Sequence, residues 1–192
     1  MNAAELLKAI AFAAEKHRHQ RRKDARASPY INHPIAVATV LATDGKVSDH
    51  VMLLAAALHD TVEDTQTTFA ELEEHFGQEV ADLVRELTDD KSLDKAERKR
   101  LQIEHSKKSS NAAKQLKIAD KICNIRDITD DPPEGWTAER RRQYLTWSEK
   151  VITGCRGVNP ALDQAFDKAV GRARSVLDAE DSAIKNYPQE RA

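Results

Sequence analysis

The stretch Leu53–Thr65, LLAAALHDTVEDT, joins an apolar run to four groups able to do chemistry: His59, Asp60, Glu63 and Asp64. Glu63 follows His59 by four residues and Asp64 follows Asp60 by four, so on a continuing helix the four side chains share a face. Three carboxylates and an imidazole aimed at one place repel one another, and desolvating them is costly or forces protonation. A bound divalent cation removes both problems. A solvated helix end, or a hydrogen-bonded His–Asp pair, is the competing explanation that these residues alone leave open.

The elements that must position this cluster are helical. Val51–Leu58 is rich in Ala, Leu and Met and reads as a buried helix, capped by Ser48 or Asp49. Upstream, Ala3 to His19 carries Leu6, Leu7, Ile10, Ala13 and Ala14 at helical spacing. The basic turn RRKDARASPY follows. It is either a solvated charge run or an anion clamp beside the acidic helix. In YINHPIAVATVLA, Pro34 suits a first helical turn, which sets His33 at or just before a helix start. His33 can point into a cleft from there, or serve as a capping or core histidine. Asp44-Gly45 ends that helix.

Downstream, Thr67 or Thr68 caps FAELEEHF, Gly77 breaks it, and QEVADLVRELT forms another amphipathic helix. A polar loop then leads into a charged helix that holds Lys95. The helix NAAKQLKIADKICNIRDI buries Leu116, Ile118, Ala119, Ile122, Ile125 and Ile128, while Lys117, Asp120 and Asn124 recur on another face. Asp120 lies in an otherwise apolar stretch and is either paired with a nearby lysine or a metal ligand. After the loop DDPPEGW, Thr137 caps a helix containing Arg140, and a last helix starts near Ala161. The expected fold class is all-α: one helical domain over 1–181 and a polar tail over 182–192.

Bulk properties exclude several classes. The chain has 192 residues, a formal net charge of −2, and only 5% aromatic residues. There is no global pull toward nucleic acid or membrane, and no apolar run long enough to span a bilayer. Cys123 and Cys155 have no CxxC spacing, which fits a reducing compartment better than a disulfide framework. The amino-terminal run is interrupted by Glu5 and Lys8, unlike a signal peptide. The expected location is cytoplasmic. No protein partner is called for.

The lone His33, the His59-Asp60 doublet and the distant Asp120 in KIADK resemble the HD-domain metal-dependent phosphohydrolases. More closely, RRKDARASPYINHPI, AALHDTVEDTQTT, FGQEVADLVRELTDDKSL and LKIADKICNIRD look like the hydrolase domain of the RelA/SpoT proteins in its stand-alone form, the small alarmone hydrolases. The likeness covers about Ala11 to Gly157 and departs from the common pattern mildly, at LKIADK and at Cys123. It implies an HD-domain bundle of about eight to ten helices. The activity implied is hydrolysis of guanosine 3′,5′-bis(diphosphate) or its pentaphosphate relative to GDP or GTP and pyrophosphate. One Mn²⁺ per chain is implied, held by His33, His59, Asp60 and Asp120. By the same likeness Glu63 and Asp64 match the catalytic acidic pair. Arg22, Lys23 and Asn124 match nucleotide contacts, and Lys95 and Arg140 are further candidates for phosphate contact. Two alternatives remain: a phosphatase acting on another purine nucleotide such as NADPH, and a catalytically silent alarmone-binding protein.

Overall fold

The computed structural model describes residues 3–186, and these are all-α: α1 (Ala3–Lys16), α2 (Asn32–Thr43), α3 (His50–Leu58), α4 (Thr61–Asp64), α5 (Phe69–Phe76), α6 (Gln78–Leu87), α7 (Lys95–Ser106), α8 (Asn111–Asp130), α9 (Ala138–Thr153) and α10 (Pro160–Asn186). One isolated bridge joins Arg21 to Pro29. Among the described residues, no helix is long and apolar enough to cross a membrane.

The central element is α3, in which every residue from Met52 to Leu58 is buried. It is apolar all round, and α1, α2, α6 and α8 pack about it. On α8, Leu116, Ile118, Ala119, Ile122 and Ile125 are all at most 1% exposed. Burying each of the larger ones contributes about 1.5–3 kcal/mol. This helix bridges α2 on one side and α9 and α10 on the other, so its polar stripe is held rigidly against the rest of the bundle. On α2, His33, Val37 and Leu41 share one buried face, which turns the imidazole inward with the apolar side chains.

The helix starts follow local capping chemistry. The Asp49 carboxylate accepts the Met52 N–H at 2.9 Å, Thr68 accepts from Glu71 and Thr137 from Arg140, both at 3.2 Å. Gly77 separates α5 from α6 at φ 87°, where a Cβ would be strained.

Two boundaries differ from expectation. The helix through His59 is not continuous: α3 stops at Leu58 and α4 is a separate turn. Side chains take the carbonyls that would propagate it. His59 Nδ1 donates to Ala56 O at 2.8 Å, and Thr61 Oγ1 donates to Leu58 O at 2.7 Å. At the other end, α10 runs past Asp181 to Asn186, and residues 187–192 of the expected tail lie outside the described residues.

Candidate metal centre

Four residues from three separate stretches of the sequence meet beyond the end of α3. The nitrogens of His33 and His59 and a carboxylate oxygen of Asp60 all lie within 4.8 Å of one another. Asp120 joins them from α8: its Oδ1 is 3.1 Å from His33 Nε2 and 4.0 Å from His59 Nε2. His33 and His59 are 5% and 8% exposed. The bond from His59 Nδ1 to Ala56 O fixes the tautomer, so in the neutral ring Nε2 is a lone pair aimed into the cluster. Nε2 is buried without a hydrogen-bond partner; Asp60 Oδ2 is 3.2 Å away but misaligned. A buried, unpartnered imidazole nitrogen between two carboxylates is what a divalent cation would complete, and the donor set of two imidazoles and two carboxylates fits such an ion.

The electrostatics are tightly coupled. Burial disfavours a charged His59, but the Asp60 and Asp120 carboxylates outweigh it and push the imidazole up to about 9. Burial likewise works against ionising Asp60, yet His59 and His33 hold it below the usual carboxylate range. Asp120 is held well below that range by Lys121 and His33, again against burial. Lys121 Nζ sits 2.8 Å from Asp120 Oδ2, and Asn124 Nδ2 donates to Asp120 Oδ1 at 2.7 Å. The lysine pairing and the place beside the imidazoles are therefore both present.

Within α4 the consecutive residues Glu63 and Asp64 point in different directions, as neighbours on a helix do. Glu63 lines the same cavity as His33, His59, Asp60 and Asp120. Its Oε2 accepts the Asp89 N–H at 3.2 Å. Burial pushes Glu63 up to about 7, with Asp60 adding to the rise and the Asp89 N–H opposing it. Asp64 faces elsewhere. One oxygen accepts from Gln20 Nε2 at 2.8 Å and the other is paired with Lys91. The expectation that all four groups of His59–Asp64 share one helix face is thus corrected.

The nucleotide candidates divide between two neighbouring cavities. Arg22, Lys23 and Asn124 line one of about 650 Å³, with Trp136 and Tyr144 in its wall. Arg22 is paired there with Asp127. The basic turn is braced by Asp24, whose Oδ1 accepts from the Arg26 and Ser28 N–H groups, at 2.9 and 3.2 Å. Lys95 and Arg140 lie in the other, of about 400 Å³, which shares Glu63 and Gln102 with the histidine cavity and Trp136 and Tyr144 with the first. The three spaces adjoin, with the acidic centre between two basic flanks.

The sequence profile of the HD domain matches residues 9–147, which contain every one of these groups. The chain belongs to the HD-domain family. Its relatives include guanosine-3′,5′-bis(diphosphate) 3′-pyrophosphohydrolase MESH1 of Xenopus tropicalis, 52% identical over 86% of this chain and 93% of the relative. The Homo sapiens protein of the same name is 53% identical over 85% and 92%. The solved structure of a metazoan orthologue of SpoT, described as hydrolysing ppGpp, has a TM-score of 0.86 at 48% identity and covers 92% of this chain and 98% of that one. A Listeria monocytogenes EGD-e crystal structure matches at TM-score 0.62 and 30% identity over 76% of this chain.

Within this HD domain, sequence reasoning gives no role to Tyr30, Gln20 or Lys91, and it expects a lysine beside Asp120 without saying that it is Lys121. The Tyr30 hydroxyl donates to Asp60 Oδ2 at 2.7 Å. Its signal is its place in YINHP, one helical turn before His33. Lys121 adjoins Asp120 in KIADK. Gln20 and Lys91 carry no local mark, because their meeting with Asp64 is purely tertiary.

Proposed function

We propose that this chain hydrolyses guanosine 3′,5′-bis(diphosphate) or its pentaphosphate relative, releasing the 3′-diphosphate as pyrophosphate and leaving GDP or GTP. The observation that carries the reading is the convergence of His33, His59, Asp60 and Asp120 beside Glu63, in a chain 52% identical over 86% of its length to a protein named for that activity.

In this reading His33, His59, Asp60 and Asp120 hold one divalent cation, and Mn²⁺ suits their mixed nitrogen and oxygen donors. When bound, such an ion acidifies water and neutralises charge at the attacked phosphorus. Glu63 is the general base. It reaches the ligand cavity, is raised to about 7, and has one oxygen free of backbone hydrogen bonds. It orients water and takes its proton as the oxygen attacks phosphorus; the bond to the ribose 3′ oxygen breaks, and that oxygen takes up a proton to leave as the 3′ hydroxyl. Asp64, with both oxygens engaged by Gln20 and Lys91, positions α4 and the loop after α6 instead of moving the proton. Arg22 and Lys23 on one flank and Lys95 and Arg140 on the other answer the substrate's charges, and Asn124 lines both the histidine cavity and the one that holds Arg22 and Lys23. The buried, free Cys123 and Cys155 support a reducing, cytoplasmic setting.

The test is turnover of purified protein on a nucleotide panel, with and without Mn²⁺, reading pyrophosphate and free phosphate separately. Metal-dependent pyrophosphate with GDP or GTP supports the reading. Free phosphate from NADPH alone replaces it with the phosphatase. Binding of the tetraphosphate without turnover replaces it with a silent receptor.

A further inference from the structure

Behind the acidic groups lies a buried histidine that the reaction does not touch. His17 follows the last turn of α1 and is 2% exposed. Its Nδ1 is 2.7 Å from Gln20 Oε1, while Gln20 Nε2 donates to Asp64 Oδ2 at 2.8 Å. Each contact fixes the other. An amide that donates its nitrogen to Asp64 turns its oxygen to the imidazole, so His17 carries a proton on Nδ1. Its Nε2 is buried with no hydrogen-bond partner among the described residues.

The same ring lies against Tyr30, with centroids 4.9 Å apart and planes tilted by 36°. Tyr30 in turn donates its hydroxyl to Asp60 Oδ2 at 2.7 Å. One imidazole thus touches Gln20, which restrains Asp64, through an N–H and Tyr30, which restrains Asp60, through packing. An apolar residue could fill this space without burying a bare nitrogen. What the imidazole adds is the directed bond to Gln20, which no aliphatic side chain supplies.

We propose, on the hydrolase reading above, that His17 is a positioning residue that holds Asp60 through Tyr30 and Asp64 through Gln20. The two arms have separate consequences. Loosening Tyr30 frees the Asp60 carboxylate and weakens cation binding, since outer partners of ligands are worth about 10–100-fold in affinity or activity. Loosening Gln20 leaves Asp64 held by Lys91 alone and slackens α4, so the base Glu63 loses its fixed distance to the attacked phosphorus.

Three substitutions separate the arms. His17→Phe keeps a ring on Tyr30 and removes the N–H. His17→Leu fills the volume but removes ring and N–H together. Gln20→Met cuts the bonds to Asp64 and to His17 Nδ1 but leaves the imidazole on Tyr30, at a half-buried position that a methionine fits. Mn²⁺ affinity of the metal-free protein, measured calorimetrically without nucleotide, reads the Tyr30 arm. The value of kcat at saturating Mn²⁺ and tetraphosphate reads the Asp64 arm. His17→Phe and Gln20→Met should keep wild-type Mn²⁺ affinity and lose about tenfold in kcat with KM unchanged; His17→Leu should lose about tenfold in Mn²⁺ affinity as well. Wild-type Mn²⁺ affinity in His17→Leu, or wild-type kcat in Gln20→Met, overturns the proposal. So does a loss in all three that merely follows a fall in Tm. A wild-type protein that binds Mn²⁺ yet hydrolyses no nucleotide would refute the hydrolase reading and leave the Mn²⁺ comparison to decide the Tyr30 arm.

Discussion

Replacing Lys121 by methionine should expose how much of the site's charge balance is internal. Lys121 is 8% exposed and its ammonium is the only cation paired with Asp120 Oδ2 among the described contacts. Methionine keeps the apolar stem and removes the ammonium, which also lies 4.9 Å from the Trp147 ring centroid. It leaves a buried carboxylate beside Asp60 with one partner fewer. Breaking a buried pair from one side costs about 3–5 kcal/mol. Asp120 keeps 20% of its side chain exposed, so the lower figure applies. At about 2–4 °C per kcal/mol for a chain of this size, a loss of about 3 kcal/mol lowers the Tm of the metal-free protein by about 6–12 °C. A bound divalent cation supplies the missing positive charge, so the loss shrinks when it is present. By reciprocity, recovering about 1.4 kcal/mol of the loss means about tenfold tighter binding of the cation. Differential scanning calorimetry of both proteins, with chelator and with Mn²⁺, reads both effects. An unchanged metal-free Tm, or a cation-induced rise in Tm smaller in Lys121→Met than in wild type, refutes the reasoning.

Glu63→Gln should lower kcat by about 10²–10⁴-fold with the fold intact, as expected for loss of a general base. Because the base must be unprotonated and Glu63 is raised to about 7, wild-type kcat should fall as pH drops below about 7. Stopped assays across the range would show that limb, and its persistence in Glu63→Gln would assign it to another group. Cation binding must displace the proton that His59 holds up to about 9 in the metal-free protein. Apparent Mn²⁺ affinity should therefore rise about tenfold per pH unit below about 9 and then level off. Calorimetry in two buffers of different ionisation enthalpy counts the released proton, and pH-independent affinity would contradict the assigned charge state. The sign is opposite for the metal-free fold. His59 is raised above 6.5, so its contribution to stability is complete below that pH and is lost as pH rises through about 9. A metal-free Tm that climbs over that interval would argue against it.

Much of the architecture is legible in local chemistry. Asp49, Thr68 and Thr137 cap helices, Gly77 separates two of them, and the apolar positions of α8 are the buried ones. These depend on short-range geometry, which sequence spacing carries directly. The break after Leu58 is not legible from periodicity. It arises because His59 and Thr61 side chains compete for helix carbonyls, and spacing arguments assume that backbone N–H groups win. The break re-aims α4 as a whole, and the turn between neighbouring helical residues then sends Glu63 to the histidine cavity and Asp64 to Gln20 and Lys91. Spacing alone puts both on one face. Asp120 shows a second limit. Its burial among apolar residues allows either a lysine partner or a place beside the imidazoles, and the structure has both, because Lys121 reaches the oxygen that His33 leaves free.

The most direct test of the central claim is a crystal of the Mn²⁺-soaked protein measured at the manganese absorption edge. The account predicts one anomalous peak per chain, bounded by His33 Nε2, His59 Nε2, Asp60 and Asp120, with Glu63 across an intervening water. A peak elsewhere, or none with these four side chains ordered, would contradict it.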